Sequence, residues 1–247
     1  MPRDWDAATY DRIADPMTRW GATVVTWLGL RGDERVLDAG CGSGRVTELL
    51  LERLPRCRVI ALDGSPSMIE QAKARLARFG ERMEYVVADL ARPLPIDDPV
   101  DAILSTATFH WVRDHDALFR NLAAVLRPDG RLAAQCGGAG NLDSVAEALR
   151  QLGIDPFANK AFATPEETRG RMEAAGFTDV EARLSEEPTT LEPGEPLETY
   201  LATVVLGDLL EDIPETERSP FVHEVASRLP KPELDYVRLN IRARRAQ

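Results

Sequence analysis

The sequence predicts an α/β fold in which helices cover both faces of a mostly parallel, doubly wound sheet. Two observations lead to this prediction. Over about the first 140 of the 247 residues, short apolar runs alternate with segments in which apolar residues recur every three or four positions, as in parallel strands joined by crossover helices. A glycine-rich stretch, VLDAGCGSG at 36–44, follows the first apolar run and precedes a helical segment, which indicates a tight loop between strand and helix.

The composition is close to that of an average globular protein, with 44% hydrophobic and 29% charged residues. The longest apolar runs are far shorter than the roughly 20 residues that cross a bilayer, and the start MPRDWD is too acidic for a signal peptide. The three cysteines, Cys41, Cys57 and Cys136, show neither paired metal spacing nor an even disulfide set. We therefore expect a cytoplasmic protein with reduced thiols, one core and no membrane partner.

The charge bears on the class of partner. A formal net charge of −11 works against broad contact with a phosphate backbone, which requires clustered lysine and arginine. A small-molecule partner is therefore favoured over nucleic acid. Monomer and homodimer both stay open.

The first elements surround the glycine-rich stretch. An opening segment, about 5–30, is predicted to be helical with a break near Pro16. The run RVLDAG at 35–40 predicts a short buried strand, and after the glycines apolar residues from Val46 to Leu54 recur at helical spacing. This order is strand, tight loop, helix.

The same unit then repeats. The run CRVIALD at 57–63 predicts a second strand. Ser65 is suited to the N-cap of the next helix and Pro66 to its first position, and Gly80 is expected to end that helix.

Three more strands are predicted before residue 140, at 83–90, 100–106 and 131–138. The prolines and carboxylates of RPLPIDDP indicate a loop between the first two of these strands. A helix at 116–126, with Asp116 as its expected N-cap and RPDG at its end, leads to the last one.

The pattern loosens after Gly140. A helix is predicted at 141–152, and a second helix begins with Thr164 as N-cap, Pro165 at the first position and Glu167 completing a capping box. A sixth strand is expected at 179–184 and a final strand at 234–241. The segment 188–232 holds seven prolines around two helical stretches, and such an interruption is a candidate lid.

The glycine loop lies where α/β folds hold ligands, at the carboxyl edge of a parallel sheet. A dinucleotide fingerprint requires glycine where Arg45 stands, and a phosphate-binding P-loop requires a lysine that this loop lacks. Asp38 beside the loop is unfavourable for a pyrophosphate and favourable for a ligand with an ammonium group. Both NAD and a nucleoside triphosphate are therefore disfavoured.

Two further acids end neighbouring strands. Asp63 stands where a carboxylate in such folds accepts hydrogen bonds from ribose hydroxyls, and Asp89 is placed to accept from an adenine amine. Each acid taken alone is more often a turn or cap residue. Together with Asp38, they describe a nucleoside whose other end is an amino acid.

These motifs resemble those of the class I S-adenosylmethionine-dependent methyltransferases. The stretch VLDAGCGSG resembles the family's first motif, VIALDGSPSMI at 59–69 the second, VVADL at 86–90 the third, and LRPDGRL at 126–132 the turn before the fifth strand. Within the family, STATFHWVRDHDALF at 105–119 and WDAATYDRIADP at 5–16 are most similar to the trans-aconitate methyltransferase group. The resemblance covers roughly 5–184 and is strong from 34 to 136.

The resemblance implies a seven-stranded sheet with a reversed last strand. It implies a helical N-terminal cover at 1–33, an S-adenosylmethionine-binding core at 34–187, a helical lid at 188–232 and the last strand at 233–247. It also assigns a set of residues to S-adenosylmethionine. Of these, Gly40 and Gly42 approach the methionine moiety, Leu90 offers its backbone to adenine, and Ser105 lies near the sulfonium. The complete set is Asp38, Ala39, Gly40, Gly42, Asp63, Gly64, Ser65, Met68, Asp89, Leu90, Ser105 and Tyr10.

Methyl transfer from a sulfonium requires alignment and exclusion of water more than acid–base chemistry. A carboxylate acceptor, with an ordinary pKa near ~4, is already ionised, whereas a hydroxyl acceptor requires a base. His110 is the candidate base; the alternative is a histidine that shapes its loop through backbone hydrogen bonds. His110, Asp114, His115 and Asp116 do not follow a fixed metal-binding motif, so no metal is expected.

Four residues are candidates for binding the acceptor or closing the pocket. Arg19 is suited to an acidic acceptor, and Trp20, Trp111 and Tyr200 are suited to cover the site. A solvated helix position for Arg19 and a core position for Trp111 are the alternatives.

The predicted function is methyl transfer from S-adenosylmethionine to a small molecule, at an oxygen of a carboxylate or hydroxyl. Transfer to carbon or nitrogen is the near alternative, and a module that binds S-adenosylmethionine without transferring methyl is the alternative from another class. A nucleic-acid methyltransferase is disfavoured because STATFHW stands where an NPPY-like element would follow the fourth strand.

Overall fold

A seven-stranded sheet forms the centre of the molecule. The structure is a computed structural model that describes residues 15–247, with side chains from residue 20 onward. The strands of the sheet are β1 (Arg35–Ala39), β2 (Arg58–Asp63), β3 (Met83–Val87), β4 (Val100–Thr106), β5 (Leu126–Gly137), β6 (Phe177–Glu186) and β9 (Val237–Arg245). Two short strands, β7 (Thr189–Thr190) and β8 (Glu233–Leu234), form a separate ribbon.

The strand order confirms the predicted fold class. The sheet runs β3-β2-β1-β4-β5-β9-β6. Strands β1 to β5 pair in parallel, whereas β9 lies antiparallel to both of its neighbours, β5 and β6. The last strand is therefore the reversed one. The chain order changes direction between β1 and β4, where an open α/β sheet forms its crevice.

Helices cover both faces of this sheet. They are α1 (Asp15–Trp27), α2 (Arg45–Arg53), α3 (Pro66–Leu76), α4 (His115–Val125), α5 (Asp143–Gln151), α6 (Pro165–Ala174), α7 (Glu195–Tyr200), α8 (Gly207–Leu210) and α9 (Glu215–Arg228). Short 3₁₀ turns occur at Ala77–Arg82 and Phe109–Trp111, and a π-helical turn at Leu201–Val205 joins α7 to α8. Among residues 15–247, no helix has the length and apolarity to cross a membrane.

Alternate residues of the inner strands supply two cores. Val36 and Val59 pack with residues of α1, α2 and α3 on one face, and the next residues, Leu37 and Ile60, pack with residues of α4 and α6 on the other. Because both faces are covered, β1 and β2 read as continuous buried runs, as is typical of parallel sheets.

A third core lies under the segment 188–232. Leu197, Leu201 and Val225 of this segment pack against Leu149 of α5 and against Trp20 of α1. The β7–β8 ribbon closes the base of the segment, since Thr189 pairs with Leu234. The segment is therefore helical and anchored at both ends; its action as a lid stays a prediction.

The predicted helix starts at residues 65 and 164 are confirmed. The Ser65 side chain accepts a hydrogen bond from Met68 N at 3.3 Å, with Pro66 in the first turn. The Thr164 hydroxyl accepts from Glu167 N at 3.1 Å, and the Glu167 carboxylate accepts from Thr164 N at 3.0 Å. These bonds satisfy backbone donors that a helix start leaves unpaired.

Two boundary predictions were wrong. Asp114 caps α4 in place of Asp116, since its carboxylate accepts from Ala117 N at 2.8 Å. The helix α3 ends at Leu76, before Gly80, because a 3₁₀ turn follows in which Gly80 takes a positive φ of 52°. Both errors displace an element end by a few residues and leave the topology unchanged.

The capping box of α6 is open to a direct test. We expect Thr164→Ala to lower the free energy of unfolding by about 1 kcal/mol, because the backbone donor at Glu167 loses its partner. Thr164→Ser keeps the hydroxyl and should restore most of the loss. Urea unfolding followed by circular dichroism measures both, and equal stability of the Ala variant and the parent would contradict the assignment.

Candidate active site

A cavity of about 930 Å³ opens at the carboxyl ends of β1, β2 and β4. This is the point where the strand order changes direction, as predicted from the glycine loop. Its walls come from the glycine loop, from the segments that follow β2, β3 and β4, and from the 188–232 segment. The lining runs are 40–43, 45–46, 63–64, 88–91, 106–108, 110–114, 141–142, 159–160, 204–205 and 211–212, with Met68, Phe162, Asp208, Tyr236 and Arg238.

Gly40 follows β1 and contacts both the end of β2 and the loop after β4. Its amide donates to the Leu62 carbonyl at 2.8 Å, and its carbonyl accepts from the Thr108 hydroxyl at 3.1 Å. A Cβ at Gly40, whose φ is +86°, would lie 2.2 Å from Thr108. A side chain at this position would therefore push the loop that follows β4 away from β1.

The space above Gly42 belongs to the cavity. Gly42 has a φ of +53°, and the nearest atom to a Cβ built on it is Met68 Sδ, 4.0 Å away. No protein atom in the described part of the chain therefore crowds the main chain at Gly42, and Gly42 itself lines the cavity. A ligand can approach the main chain here.

Asp38 lies behind the glycine loop, is buried and does not line the cavity. One of its carboxylate oxygens, Oδ2, accepts from the Thr47 hydroxyl at 2.6 Å. The other, Oδ1, is buried and lacks a hydrogen-bond partner among the described residues. Burial raises the pKa of Asp38 from 3.8 to about 7, with a smaller rise from the charge of Asp63 and an opposing effect of the Thr47 bond.

Asp63 joins the glycine loop to the start of α3. Its Oδ2 accepts from Gly42 N and its Oδ1 from Ser65 N, each at 2.9 Å. Burial raises the pKa of Asp63, against the lowering effect of these backbone bonds. A carboxylate has about four acceptor positions, so Asp63, which lines the cavity, can accept further hydrogen bonds from a ligand.

The segment after β3 adds a second acid. Asp89 and Leu90 line the cavity, and Asp89 Oδ1 accepts from Ala91 N at 2.9 Å. The carbonyl of Leu90 accepts from the Asn121 side chain at 2.9 Å. Sequence reasoning missed Asn121, since it looked only like a polar residue of a surface helix.

Five of the predicted cofactor residues are placed away from the cavity or outside the described residues. Gly64 and Met68 line the cavity, but Ala39, Ser65 and Ser105 do not. Ser105 lies inside β4 and donates to the Ala39 carbonyl at 2.6 Å, so it holds β4 to β1. Asp38 has been described above, and Tyr10 falls outside the described residues.

His110 lines the cavity and is buried. We call the part of the cavity lined by His110, Lys160 and Arg238 the far half, and the part lined by Gly42, Asp63 and Asp89 the near half. Its Nδ1 accepts from Gly137 N at 3.3 Å, and its ring stacks on Phe162 at 5.7 Å between centroids. In a neutral ring whose Nδ1 accepts, the proton is on Nε2. Burial, reinforced by the charges of Arg238 and Lys160, holds the pKa of His110 well below its usual value. His110 is thus a hydrogen-bond donor at Nε2, which argues against its predicted role as base.

Two buried cations stand near His110, and sequence reasoning missed both. Arg238, at the start of β9, packs its guanidinium over the Trp20 ring at 4.6 Å. The Lys160 ammonium lies 4.5 Å from the centre of the Trp111 ring and 2.8 Å from Asp208 Oδ2. Lys160 and Arg238 both line the cavity. Each of these two cations can bind an anion, and the same wall also carries the acids Asp208, Glu211 and Asp212.

The predicted acceptor residues divide into three groups. Trp111 lines the cavity. Trp20 and Tyr200 do not; they are buried in the third core behind Tyr236, which packs on Trp20 at 5.5 Å and donates to the Tyr200 hydroxyl at 3.2 Å. The side chain of Arg19 is outside the described part. Within that part, no three His, Cys, Asp or Glu side chains are grouped to hold a metal.

Comparison with known proteins finds methyltransferases. A family model described as a methyltransferase domain matches residues 36–130. A trans-aconitate 2-methyltransferase from Methylobacterium nodulans is 35% identical over 184 residues, covering 74% of this chain and 67% of that protein. One from Methylobacterium radiotolerans is 37% identical over 149 residues, covering 60% of this chain and 54% of that protein. The match therefore spans between about half and two thirds of these curated relatives.

A solved structure shares the fold. Phosphoethanolamine N-methyltransferase 2 from Haemonchus contortus, in complex with phosphomonomethylethanolamine and S-adenosylhomocysteine, superposes with a TM-score of 0.67. It is 19% identical, and the superposition covers 98% of this chain and 57% of that chain. At this identity the likeness concerns the fold alone.

The buried acid behind the glycine loop should lower stability as pH rises. Because the pKa of Asp38 is about 7 in the folded protein against 3.8 ordinarily, the folded state keeps its proton where the unfolded state has lost it. The free energy of unfolding of the parent therefore decreases as the pH rises from about 4 to about 7. The Asp38→Asn variant cannot lose this proton. We therefore expect its free energy of unfolding, relative to that of the parent, to rise by up to about 3 kcal/mol from pH 5 to pH 8. Urea unfolding of the ligand-free proteins measures this difference.

The matched control is Asp97→Asn, at an exposed acid. Its stability difference from the parent should be the same at both pH values. A difference for Asp38→Asn that does not change with pH would contradict the raised pKa.

Proposed function

The chain belongs to the family of S-adenosylmethionine-dependent methyltransferases, and from this premise we propose that it methylates an oxygen of a small carboxylic acid. The observation that carries the acceptor class is the far half of the cavity. This part of the cavity presents two cations, Arg238 and Lys160, and one neutral donor, the Nε2–H of His110. An ionised carboxylate can accept hydrogen bonds from all three groups. Relatives at 35 to 37% identity are named for trans-aconitate, which supports the same class.

The near half of the cavity fits S-adenosylmethionine. The room above Gly42 admits the methionine moiety, and the free acceptor positions of Asp63 suit ribose hydroxyls. Asp89 and Leu90 are placed at the adenine end. The Oδ1 of Asp38, which has no hydrogen-bond partner among residues 20–247, suits a positive charge in front of the loop. S-adenosylmethionine supplies a methyl group that is already activated on a sulfonium.

The protein's part in the reaction is to position the acceptor and exclude water. A carboxylate acceptor is ionised at neutral pH and needs no base, which agrees with a His110 that has no free acceptor nitrogen. The Nε2–H of His110 donates to one carboxylate oxygen and leaves the other to react. Val204 and Val205 of the 188–232 segment line the cavity and give it an apolar wall, which favours the exclusion of water when the acceptor is bound. Alignment of this kind supplies on the order of 7 to 11 kcal/mol.

The remaining expectations are proposed on the same premise. We propose a small-molecule acceptor in place of nucleic acid, because the candidate site is a concave cavity and the chain carries a net charge of −11. A cytoplasmic location agrees with the three buried free thiols.

The role of Asp63 is tested by binding of S-adenosylmethionine. We expect Asp63→Ala to weaken binding by more than tenfold in calorimetry, because buried ribose hydroxyls lose their acceptor. Asp63→Asn keeps one oxygen and should lie between Ala and the parent. Thermal unfolding without ligand serves as the control, since Asp63 also holds Gly42 N and Ser65 N. Unchanged affinity in a folded Ala variant would refute the role.

The acceptor class is tested by a screen of small acids, phenols and amines with labelled S-adenosylmethionine. We expect label in methyl esters of acids. At saturating S-adenosylmethionine, turnover should be flat from pH 6 to pH 9, because the pKa of His110 lies well below its usual value. His110→Ala should lower kcat/KM by roughly tenfold to a hundredfold without changing this profile.

Two outcomes of the screen would overturn these statements. Preferred methylation of amines would replace the acceptor class. A rise in turnover near pH 6 to 7 that His110→Ala abolishes would restore the base role.

A further inference from the structure

The ion pair between Lys160 and Asp208 is a second feature of the cavity wall. Lys160 lies in the loop after α5, and Asp208 lies on α8 of the 188–232 segment, so the pair joins the core to that segment. The two side chains are 5% and 11% exposed, with Nζ and Oδ2 at 2.8 Å. Both residues line the cavity.

Lys160 is held in place from several sides. Its ammonium lies 4.5 Å from the centre of the Trp111 ring and 4.8 Å from that of Phe157. The next residue, Ala161, donates its amide to the His110 carbonyl at 2.8 Å. The His110 and Trp111 rings are themselves in contact, at 5.3 Å. The position of the cation beside His110 therefore does not depend on Asp208 alone.

Asp208 is the less satisfied member of the pair. Its Oδ2 binds Lys160, but its Oδ1 is buried with no hydrogen-bond partner in the described part of the chain. A buried carboxylate oxygen without a donor costs free energy, which the group recovers when it returns to water. Displacement of Asp208 from Lys160 is thus easier than for a fully bonded ion pair.

We propose that Lys160 binds the carboxylate of the acceptor, and that Asp208 occupies this place until the acceptor arrives. The exchange puts one carboxylate in the place of another on the same ammonium, so the charge at Lys160 stays balanced. It also removes the ion pair that joins α8 to the loop after α5, which couples acceptor entry to the position of α8 in the 188–232 segment. This inference rests on the proposed function, because it requires an acidic acceptor.

The test compares variants of the two residues on an acid that the enzyme methylates. Asp208→Asn keeps the shape and removes the competing charge, so KM for the acid should fall by at least about threefold, with S-adenosylmethionine affinity unchanged. Glu217→Gln removes an exposed charge from the same segment at a position that does not line the cavity. It should leave KM within about twofold if exchange, and not overall charge, is responsible.

The role of the Lys160 ammonium is tested in a protein that already carries Asp208→Asn. Lys160→Met alone leaves Asp208 buried and unpaired, which endangers folding, so the double variant Lys160→Met, Asp208→Asn is the one to measure. Its KM for the acid should exceed that of Asp208→Asn by about tenfold or more. Hydrogen exchange supplies a readout without turnover: the acid should speed exchange in α8 of the parent and change it little in Asp208→Asn.

The outcomes separate this inference from the proposed function. If no acid is methylated by the parent enzyme, the proposed function fails and the exchange fails with it. If acids are methylated but Asp208→Asn leaves KM unchanged or raises it, or Glu217→Gln lowers it equally, the exchange alone is overturned.

Discussion

The contact between Gly40 and Thr108 is the constraint on which the site depends. Gly40 directly follows β1. Its carbonyl accepts a hydrogen bond from the Thr108 hydroxyl, and its amide donates to the Leu62 carbonyl of β2. The loops that follow β1 and β4 can approach this closely only because Gly40 has no Cβ. The same cavity is lined by Asp63, which ends β2, and by His110, which follows β4. In the proposed function the donor binds beside Asp63 and the acceptor beside His110.

Two buried carboxylates, one behind the glycine loop and one in the cavity wall, are satisfied only in part by residues 20–247. Asp38 has one bonded oxygen and a pKa raised to about 7 by burial, and Asp208 has one oxygen on Lys160. The second oxygen of each lacks a hydrogen-bond partner among those residues. Such groups lower the stability of the free protein. They are explained if ligands complete them, a cationic donor in front of Asp38 and an acidic acceptor in place of Asp208. Stability is exchanged here for binding, as is usual at functional sites.

What the sequence could predict was local. Strand runs, the caps at Ser65 and Thr164 and the glycine loop each depend on residues within a few positions of one another, and the structure confirms them. The acceptor half depends on residues far apart in the chain, since His110, Lys160, Asp208 and Arg238 meet only through the fold. Trp20 and Tyr200 were chosen for their aromatic rings, but burial of apolar area placed them in the third core. The tautomer of His110 follows from a backbone amide at Gly137 that no sequence pattern indicates.

The reversed strand explains why the acceptor half is built where it is. Because β9 runs antiparallel to β5, its first residues lie beside the carboxyl end of β5, and Arg238 pairs with Gly137. Gly137 in turn donates to His110, so one register position fixes both the cation and the imidazole. A parallel strand would have put its last residues at this edge instead. The connection from β6 to β9 joins neighbouring antiparallel strands at this same edge, and the helices of 188–232 are inserted in it. The direction of a single strand thus places this segment at the edge of the sheet where we propose that the acceptor binds.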